Sequence, residues 1–251
     1  MRQAARLMGT SPVSQRLEQL RPGLVAQLFA APQPACLPAW PGTVLRQLSL
    51  PRLASLVHGL PLAGIVPNCA HAVHSRQLAH LAGRLCAESA LAALGGYRQA
   101  VAQDAIGAPC WPLGTLGSIS HDAHGAMALV AHRHDYRWLG IDVEPLLDDA
   151  GCADVSAVCL TGREREQLLA AGNPALQATL CFAAKEAYYK AVFPQLGCEL
   201  DFLDVELVPP PAGSTGFRVR PVGHAARLAG LPALDGHVVI DNGRLFCGIA
   251  C

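Results

Sequence analysis

"NPALQATLCFAAKEAYYKAVF", residues 173–193, is the stretch on which the fold turns. Asn173 is a strong N-cap, Pro174 suits the first helical position, and Pro194 just beyond predicts the end of the helix. At 100° per residue, Ala183, Ala184, Ala187 and Ala191 share one arc of small side chains, which lets a helix lie close against a sheet. The opposite arc carries Glu186 and Lys190 one turn apart, with Lys185 around the same arc. Phe182 and Tyr189 fall between these charges, so the arc is not a plain solvated face. An ordinary i,i+4 Glu–Lys pair contributes only about 0.2–0.5 kcal/mol. Lys185 and Lys190 are the only lysines in the chain; every other long basic side chain is an arginine. The Ala, Leu, Gly, Pro and Arg richness resembles a GC-rich coding bias, which explains scarce lysine without invoking function. Two compact ammonium groups flanking a glutamate also suit a bound polyphosphate, toward which lysine acts as a movable point charge.

Some forty residues upstream stands "GIDVEP", residues 140–145, the end of a predicted strand that Pro145 stops. Side chains alternate along a strand, so Asp142 and Glu144 share one face about 7 Å apart, while Ile141 and Val143 point to the other. Neighbouring carboxylates repel unless a positive charge stands between them. Mg²⁺ is a natural resident, because it takes few protein oxygens and completes its shell with water and phosphate. A D-x-E tripeptide alone reads more often as an edge strand with a solvated acidic face.

A third cluster lies in "GSISHD", residues 117–122, together with a helix predicted over "HSRQLAHLAGRLCAESALAALGG", which Gly95 and Gly96 stop. Arg76 and Arg84 are eight residues apart and share a face. Ser118, Ser120 and His121 sit on a turn-rich loop with short extended pieces. A Ser–His nucleophile is disfavoured: there is no G-x-S-x-G elbow, and neighbouring residues on an extended chain point apart. Recognition of phosphate by hydroxyl, imidazole and guanidinium is the better reading; two surface arginines is the bland one. The His71/His74 and His132/His134 pairs read as surface or loop residues.

The remaining chain supports an α/β pattern. "SQRLEQLRPGLVAQLF" has helical spacing broken at Pro22, within a Pro-rich and poorly patterned first 70 residues. "AMALVAH" reads as a strand, "RHDYR" as a hairpin turn and "LTGREREQLLAAG" as a helix. The tail reads as strands "FLDVELV", "GFRVRPV", "HVVI" and "RLFCGIAC", with Asp241-Asn242-Gly243 a hairpin signal between the last two. Each half thus offers a long Ala-rich helix and strands, the halves joining near 134–137.

Composition sets the limits. Of 251 residues, 51% are hydrophobic and 15% charged, with formal net charge zero, so an anion site must be a local cluster. Neither nucleic acid nor a membrane is expected as a partner. The N-terminus has no apolar run of signal-peptide length, and no 18-residue apolar span occurs. Ten cysteines are scattered with no CxxC, which reads as small buried hydrophobes in a reducing, cytoplasmic compartment.

"GIDVE" followed by "FAAKEAYYK" resembles the paired signature of the 4′-phosphopantetheinyl transferase superfamily, G-[IV]-D-x-E and then [FW]-[STC]-x-K-E-[AS]-x-x-K. "HSRQLAHLAGRLCAESAL" and "APCWPLGTLGSISH" resemble its longer, two-lobed members, the enterobactin-synthase-component-D-like enzymes. The resemblance runs from about Arg76 to Phe202. It departs at Ala183, where the family has Ser, Thr or Cys; on the small-residue face of the helix, packing is expected to absorb the change.

The resemblance implies an α+β fold of two similar α/β subdomains in pseudo-two-fold arrangement, each an antiparallel sheet packed by a long helix. It implies an N-terminal subdomain over 1–135 for the adenosine and 3′-phosphate end of coenzyme A, and a C-terminal subdomain over 136–251 for Mg²⁺ and pyrophosphate, with coenzyme A in the cleft between them. The reaction implied moves the phosphopantetheine arm of coenzyme A to a serine of an apo carrier-protein domain, releasing 3′,5′-ADP. The carrier would belong to siderophore, other peptide, polyketide or acyl synthesis. Carried over residue by residue, Asp142, Glu144 and Glu186 hold Mg²⁺, and Lys185 and Lys190 neutralise phosphate. Glu186, or a water held nearby, takes the serine proton, with Lys185 assisting the chemistry. Arg76, Arg84, Ser120 and His121 grip the adenosine end. A monomeric pseudo-dimer is expected; a non-catalytic homologue that binds coenzyme A or a carrier protein is the alternative.

Overall fold

The computed structural model describes residues 12–30, 36–96, 98–197, 200–208, 215–223, 225 and 230–251. The expectation of no leader-type run at the N-terminus falls partly outside them, at 1–11. The chain divides into two units, one comprising 1–34 and 41–135 and the other 35–40 and 136–251.

In the first unit, the break at Pro22 separates α1 (Val13–Leu20) from α2 (Leu24–Leu28), with Gly23 at φ +79. Neither helix carries a capping side chain of its own, so remote glutamates serve. Glu88 accepts from the Val13 and Ser14 amides at 2.7 and 2.9 Å, and Glu18 from Gly23 and Val25 at 2.6 and 2.7 Å. The Pro-rich opening also hides β1 (Thr43–Ser49), α3 (Leu50–Val57) and α4 (Leu62–Ile65). Pro51 sits at the start of α3 rather than breaking it.

The long helix α5 (His74–Gly95) ends at Gly96 in the left-handed region, as the Gly pair predicts. Beyond it lie the short pair β2 (Ala102–Gln103) and β3 (Pro109–Cys110), then β4 (Thr115–His121) and β5 (Gly125–His132). The region read as a loop therefore contains a full seven-residue strand. Its glycine and serines conceal strand propensity, because Gly117 lies against the Trp111 ring and the Leu129 carbonyl, where no Cβ fits. The sheet runs β1-β5-β4, antiparallel throughout, and α5 packs across it. A glycine lets helix and sheet approach: a Cβ on Gly83 would stand 2.8 Å from Ile119 Cγ2. Ala126, Ala128 and Val130 of the central strand join Leu81, Leu85 and Leu91 of the helix in the core.

The second unit starts its sheet with β6 (Leu139–Pro145). No hairpin forms at 133–137: β5 pairs with β1 and β4 whereas β6 pairs with β10, so the polar segment links two sheets. Next come α6 (Asp149–Cys159), which lacks an apolar stripe and is invisible in the pattern, and α7 (Gly162–Leu169), opened by a Thr161–Glu164 capping box. In α8 (Pro174–Leu196) Asn173 caps the start, accepting from the Leu176 amide at 3.1 Å. Pro194 does not end this helix as expected. It removes one amide donor in the last turn, the chain continues to Leu196, and Gly197 at φ +62 makes the stop.

The tail supplies β7 (Val205–Val208), β8 (Gly216–Pro221), β9 (Leu234–Asp241) and β10 (Arg244–Ala250). With β6 they form an antiparallel sheet ordered β6-β10-β9-β8-β7. Asn242 and Gly243, both at positive φ, make the tight turn between β9 and β10. Residues 36–40 belong to this unit because they cover the sheet face away from α8: a Cβ on Gly248 would meet Trp40 and Leu37. Each unit is thus an antiparallel sheet packed by one long helix.

Gly140 is where α8 and the sheet meet. A Cβ there would stand 2.0 Å from the Ala187 carbonyl oxygen and 2.9 Å from the Ala191 Cβ and amide nitrogen. Ala183, Ala184, Ala187 and Ala191 on the facing helix are all at most 2% exposed. Because the obstacle is backbone, a rotamer change cannot relieve it. Gly140→Ala is expected to destabilise the fold beyond the ~1–3 kcal/mol of ordinary overpacking, read as a lowered urea midpoint.

The described cysteines are free thiols, and burial pushes Cys36 and Cys181 up to about 12, keeping them protonated. No described helix is long and apolar enough to cross a membrane.

Candidate functional site

The close approach at Gly140 also builds the site. Along β6, Gly140, Asp142 and Glu144 alternate onto the face that meets α8. Their partners on β10, Ile249, Cys247 and Leu245, lie in the core cluster that α8 covers. The glycine brings the helix down, and Asp142, two residues on, then reaches its charged arc.

Asp142 is 1% exposed, and its Oδ1 accepts from Lys190 Nζ at 2.5 Å. Lys190 Nζ also lies 3.8 Å from Glu186 Oε2. Glu144 is half-buried on the same strand face, and its charge acts on Lys190 as well. Burial works against the Lys190 ammonium, but Asp142, Glu186 and Glu144 overcome it and hold it above the ordinary lysine range. Burial pushes the Glu186 carboxyl up; Lys190 opposes that shift and Asp142 adds to it. The structure therefore brings together Asp142, Glu144, Glu186 and Lys190. Among the described residues no three His, Cys, Asp or Glu stand in a metal-holding arrangement; the positive charge among these carboxylates is the Lys190 ammonium. Carboxylate oxygens are the hard donors that Mg²⁺ takes, but Asp142, Glu144 and Glu186 are not set here as a ligand group.

Lys185 corrects the sequence reading. It does not join the charged arc but is 1% exposed on another side of α8. Its Nζ donates to Glu164 Oε2 at 2.7 Å, to the Cys159 carbonyl at 2.8 Å and to the Phe202 carbonyl at 2.9 Å. An ammonium has three donors, and all three are used within the protein, so none remains for a phosphate. Glu164 is fully buried and also accepts from the Thr161 and Leu207 amides, at 2.8 and 2.7 Å. The pair thereby ties α6, α7, β7 and the short 3-10 helix Phe202–Asp204 to α8. Glu164 escaped the sequence reading because a capping-box glutamate already has a sufficient local explanation.

In the first unit, Arg76 is exposed, whereas Arg84 is 6% exposed and donates from Nη1 to the Val101 and Ala102 carbonyls at 3.2 and 3.3 Å. His80 stands between them at four-residue steps and was missed in the sequence. That i,i+4,i+8 spacing was the available signal. Burial, then Arg84, His121 and Arg76, lowers His80 to about 4, so its imidazole is neutral at neutral pH. Arg84, His121 and Arg76 are the side chains whose charges act on it. Strand alternation divides the predicted Ser120/His121 pair. His121 shares the face of Ile119, which meets Gly83 of α5, and Ser120, 4% exposed, lies on the face turned away.

In this two-subdomain α+β fold the G-x-D-x-E strand and the K-E-x-x-x-K helix bring carboxylates and an ammonium together. Residues 65–131 match the 4′-phosphopantetheinyl transferase N-terminal domain, and residues 139–231 the 4′-phosphopantetheinyl transferase superfamily. The chain belongs to the 4′-phosphopantetheinyl transferase superfamily and is an enzyme of that kind. It is 37% identical to the 4′-phosphopantetheinyl transferase Svp of Streptomyces mobaraensis, over 73% of this chain and 75% of that protein. It is 33% identical to the 4′-phosphopantetheinyl transferase PptT of Mycobacterium tuberculosis, over 83% of this chain and 94% of that one. To the enterobactin synthase component D of Escherichia coli K12 it is 33% identical, over 55% of this chain and 64% of the relative.

Proposed function

We propose that the protein transfers the 4′-phosphopantetheine arm of coenzyme A to a serine of apo carrier-protein domains, releasing 3′,5′-ADP, with Mg²⁺ required. The observation that carries this reading is the convergence of Asp142, Glu144, Glu186 and Lys190 on the two family motifs. Attack of a serine hydroxyl at a pyrophosphate phosphorus builds charge on the bridging and leaving oxygens. Asp142, Glu144 and Glu186 are the residues that would hold Mg²⁺. When bound, the ion supplies charge stabilisation at those oxygens. Lys190, at the rim of the group, neutralises phosphate charge. Glu186 is the base for the serine proton: burial raises its carboxyl, which increases its affinity for a proton.

Arg76, Arg84 and His121 form the place for the 3′-phosphate of the adenosine end, with Ser120 on the opposite face of the strand. The residues 1–135 would serve that end and 136–251 the pyrophosphate. The likeness to enterobactin synthase component D favours a carrier of a siderophore or other peptide synthetase, and the enzyme is read as a cytoplasmic monomer. Incubation with fluorescent-pantetheine coenzyme A, Mg²⁺ and a panel of apo carrier proteins is expected to label at least one carrier at its serine, and not its Ser→Ala variant. Folded protein that binds coenzyme A but labels none of the panel would sink the reading.

A further inference from the structure

The solvent face of α6 is largely apolar. Asp149, Ala150, Ala153, Asp154, Ala157 and Val158 are all exposed and recur at helical spacing. A helix of a globular protein ordinarily sets polar and charged residues there, yet four of these six are Ala or Val, and Val158 is 63% exposed. This face lies beside Glu186. Val158 precedes Cys159, whose carbonyl accepts from Lys185 and whose thiol feels the Glu186 charge. On α8, Phe182 stands one turn before Glu186, and its ring meets that of Phe202 at 5.4 Å between centroids. Leu203 follows, 46% exposed, on the 3-10 helix that packs on α6. Val158 and Leu203 therefore sit on the two elements that adjoin α8 next to Glu186.

The charge on this side has one sign. Between Trp138 and Arg163 the chain carries no Lys, Arg or His, whereas Asp148, Asp149 and Asp154 are exposed. The arginines that follow are engaged: Arg163 faces Glu206 at 3.7 Å, and Arg165 donates to the Leu160 carbonyl at 3.0 Å.

We propose that the acceptor carrier docks on the Val158–Leu203 side of α6 and the 3-10 helix, and that the acidic rim of this surface selects carriers whose serine-bearing segment is apolar and free of net negative charge. The proposal rests on the transferase reading above, in which the acceptor serine must reach Glu186. A hydroxyl held within ~3 Å of its base brings the protein around it onto the surface that adjoins that base. Apolar side chains at such a surface supply affinity by burial. Aspartates at its edge steer encounter and disfavour a partner of like charge. Asp154, one turn before Val158 on the same face, is the rim residue nearest to it along the helix.

The test is steady-state label transfer from fluorescent-pantetheine coenzyme A to one apo carrier that the wild type labels, and to a variant of that carrier with two exposed residues beside its serine changed to Glu. Val158→Glu is expected to raise KM for the carrier about fivefold or more, with kcat and coenzyme A affinity unchanged. The glutamate-bearing carrier is expected to show a raised KM with the wild type, a difference that shrinks at high salt and narrows in Asp154→Lys. Leu203→Ser, with melting curves for each variant, serves if Val158→Glu does not fold. An unchanged carrier KM in Val158→Glu and Leu203→Ser overturns the docking face and leaves the transferase reading standing. A carrier KM indifferent to the added glutamates overturns the charge selection. A dimer in light scattering that Val158→Glu dissociates assigns the face to a second copy of the chain and overturns the proposal as well. No labelling of any carrier by the folded wild type overturns both the docking face and the transferase reading.

Discussion

Lys185→Met is expected to lower stability by about 3–5 kcal/mol, because breaking a buried ion pair by removing one partner leaves an uncompensated charge. The remaining charge is Glu164, fully buried, which would keep only the Thr161 and Leu207 amides as donors. Two backbone carbonyls, of Cys159 and Phe202, would lose their donor as well. Lys185→Arg is not a rescue: a planar fork cannot point three donors into the tetrahedral arrangement that a compact ammonium satisfies. The double variant Lys185→Met with Glu164→Gln removes both charges and should recover part of the loss. Chemical denaturation of the wild type, Lys185→Met, Glu164→Gln and the double variant gives the coupling between the two positions. A Lys185→Met protein with wild-type stability and no transfer activity would return Lys185 to the chemistry and contradict its structural role.

Glu186→Gln is expected to do the opposite, lowering label transfer by on the order of 10²–10⁴-fold, the usual range for a positioned general base, with the melting temperature held. The amide keeps the shape of the side chain. The Lys190–Asp142 contact does not depend on it, and the loss of a partly desolvated carboxylate carries little penalty. Transfer within threefold of wild type would remove Glu186 from its proposed role. Stability and rate would thus separate two adjacent residues of one motif, Lys185 by its packing and Glu186 by its proposed role in transfer.

Much of the fold was legible because its signals are local. Asn173 and Pro174 start α8, the Gly95-Gly96 pair ends α5, and the Asp241-Asn242-Gly243 turn joins β9 to β10. Each needs only its neighbours in the chain to act. The strand β4 and helix α6 were not legible. Gly117 has no side chain to declare a strand, and α6 presents no continuous buried stripe. The Pro-rich start hid β1, α3 and α4 for a related reason, since proline at a helix start and proline as a breaker look alike until the chain is placed.

The same division runs through the site. The sequence by itself determined the family, the acidic strand face of Asp142 and Glu144, and the pairing of Glu186 with Lys190 one helical turn away. The family follows from resemblance to the two motifs, and the acidic face and the helical pair from fixed periods of two residues and of about 3.6. Only the tertiary structure decided which lysine meets the carboxylate of the strand. Helix geometry sets the direction in which Lys185 and Lys190 leave the axis but not what stands opposite. Glu164 meets Lys185 from 21 residues before it, and Asp142 meets Lys190 from 48 residues before it. Gly140 joins the two levels: its identity is a letter in the motif, and its reason is the Ala187 carbonyl that leaves no room for a Cβ.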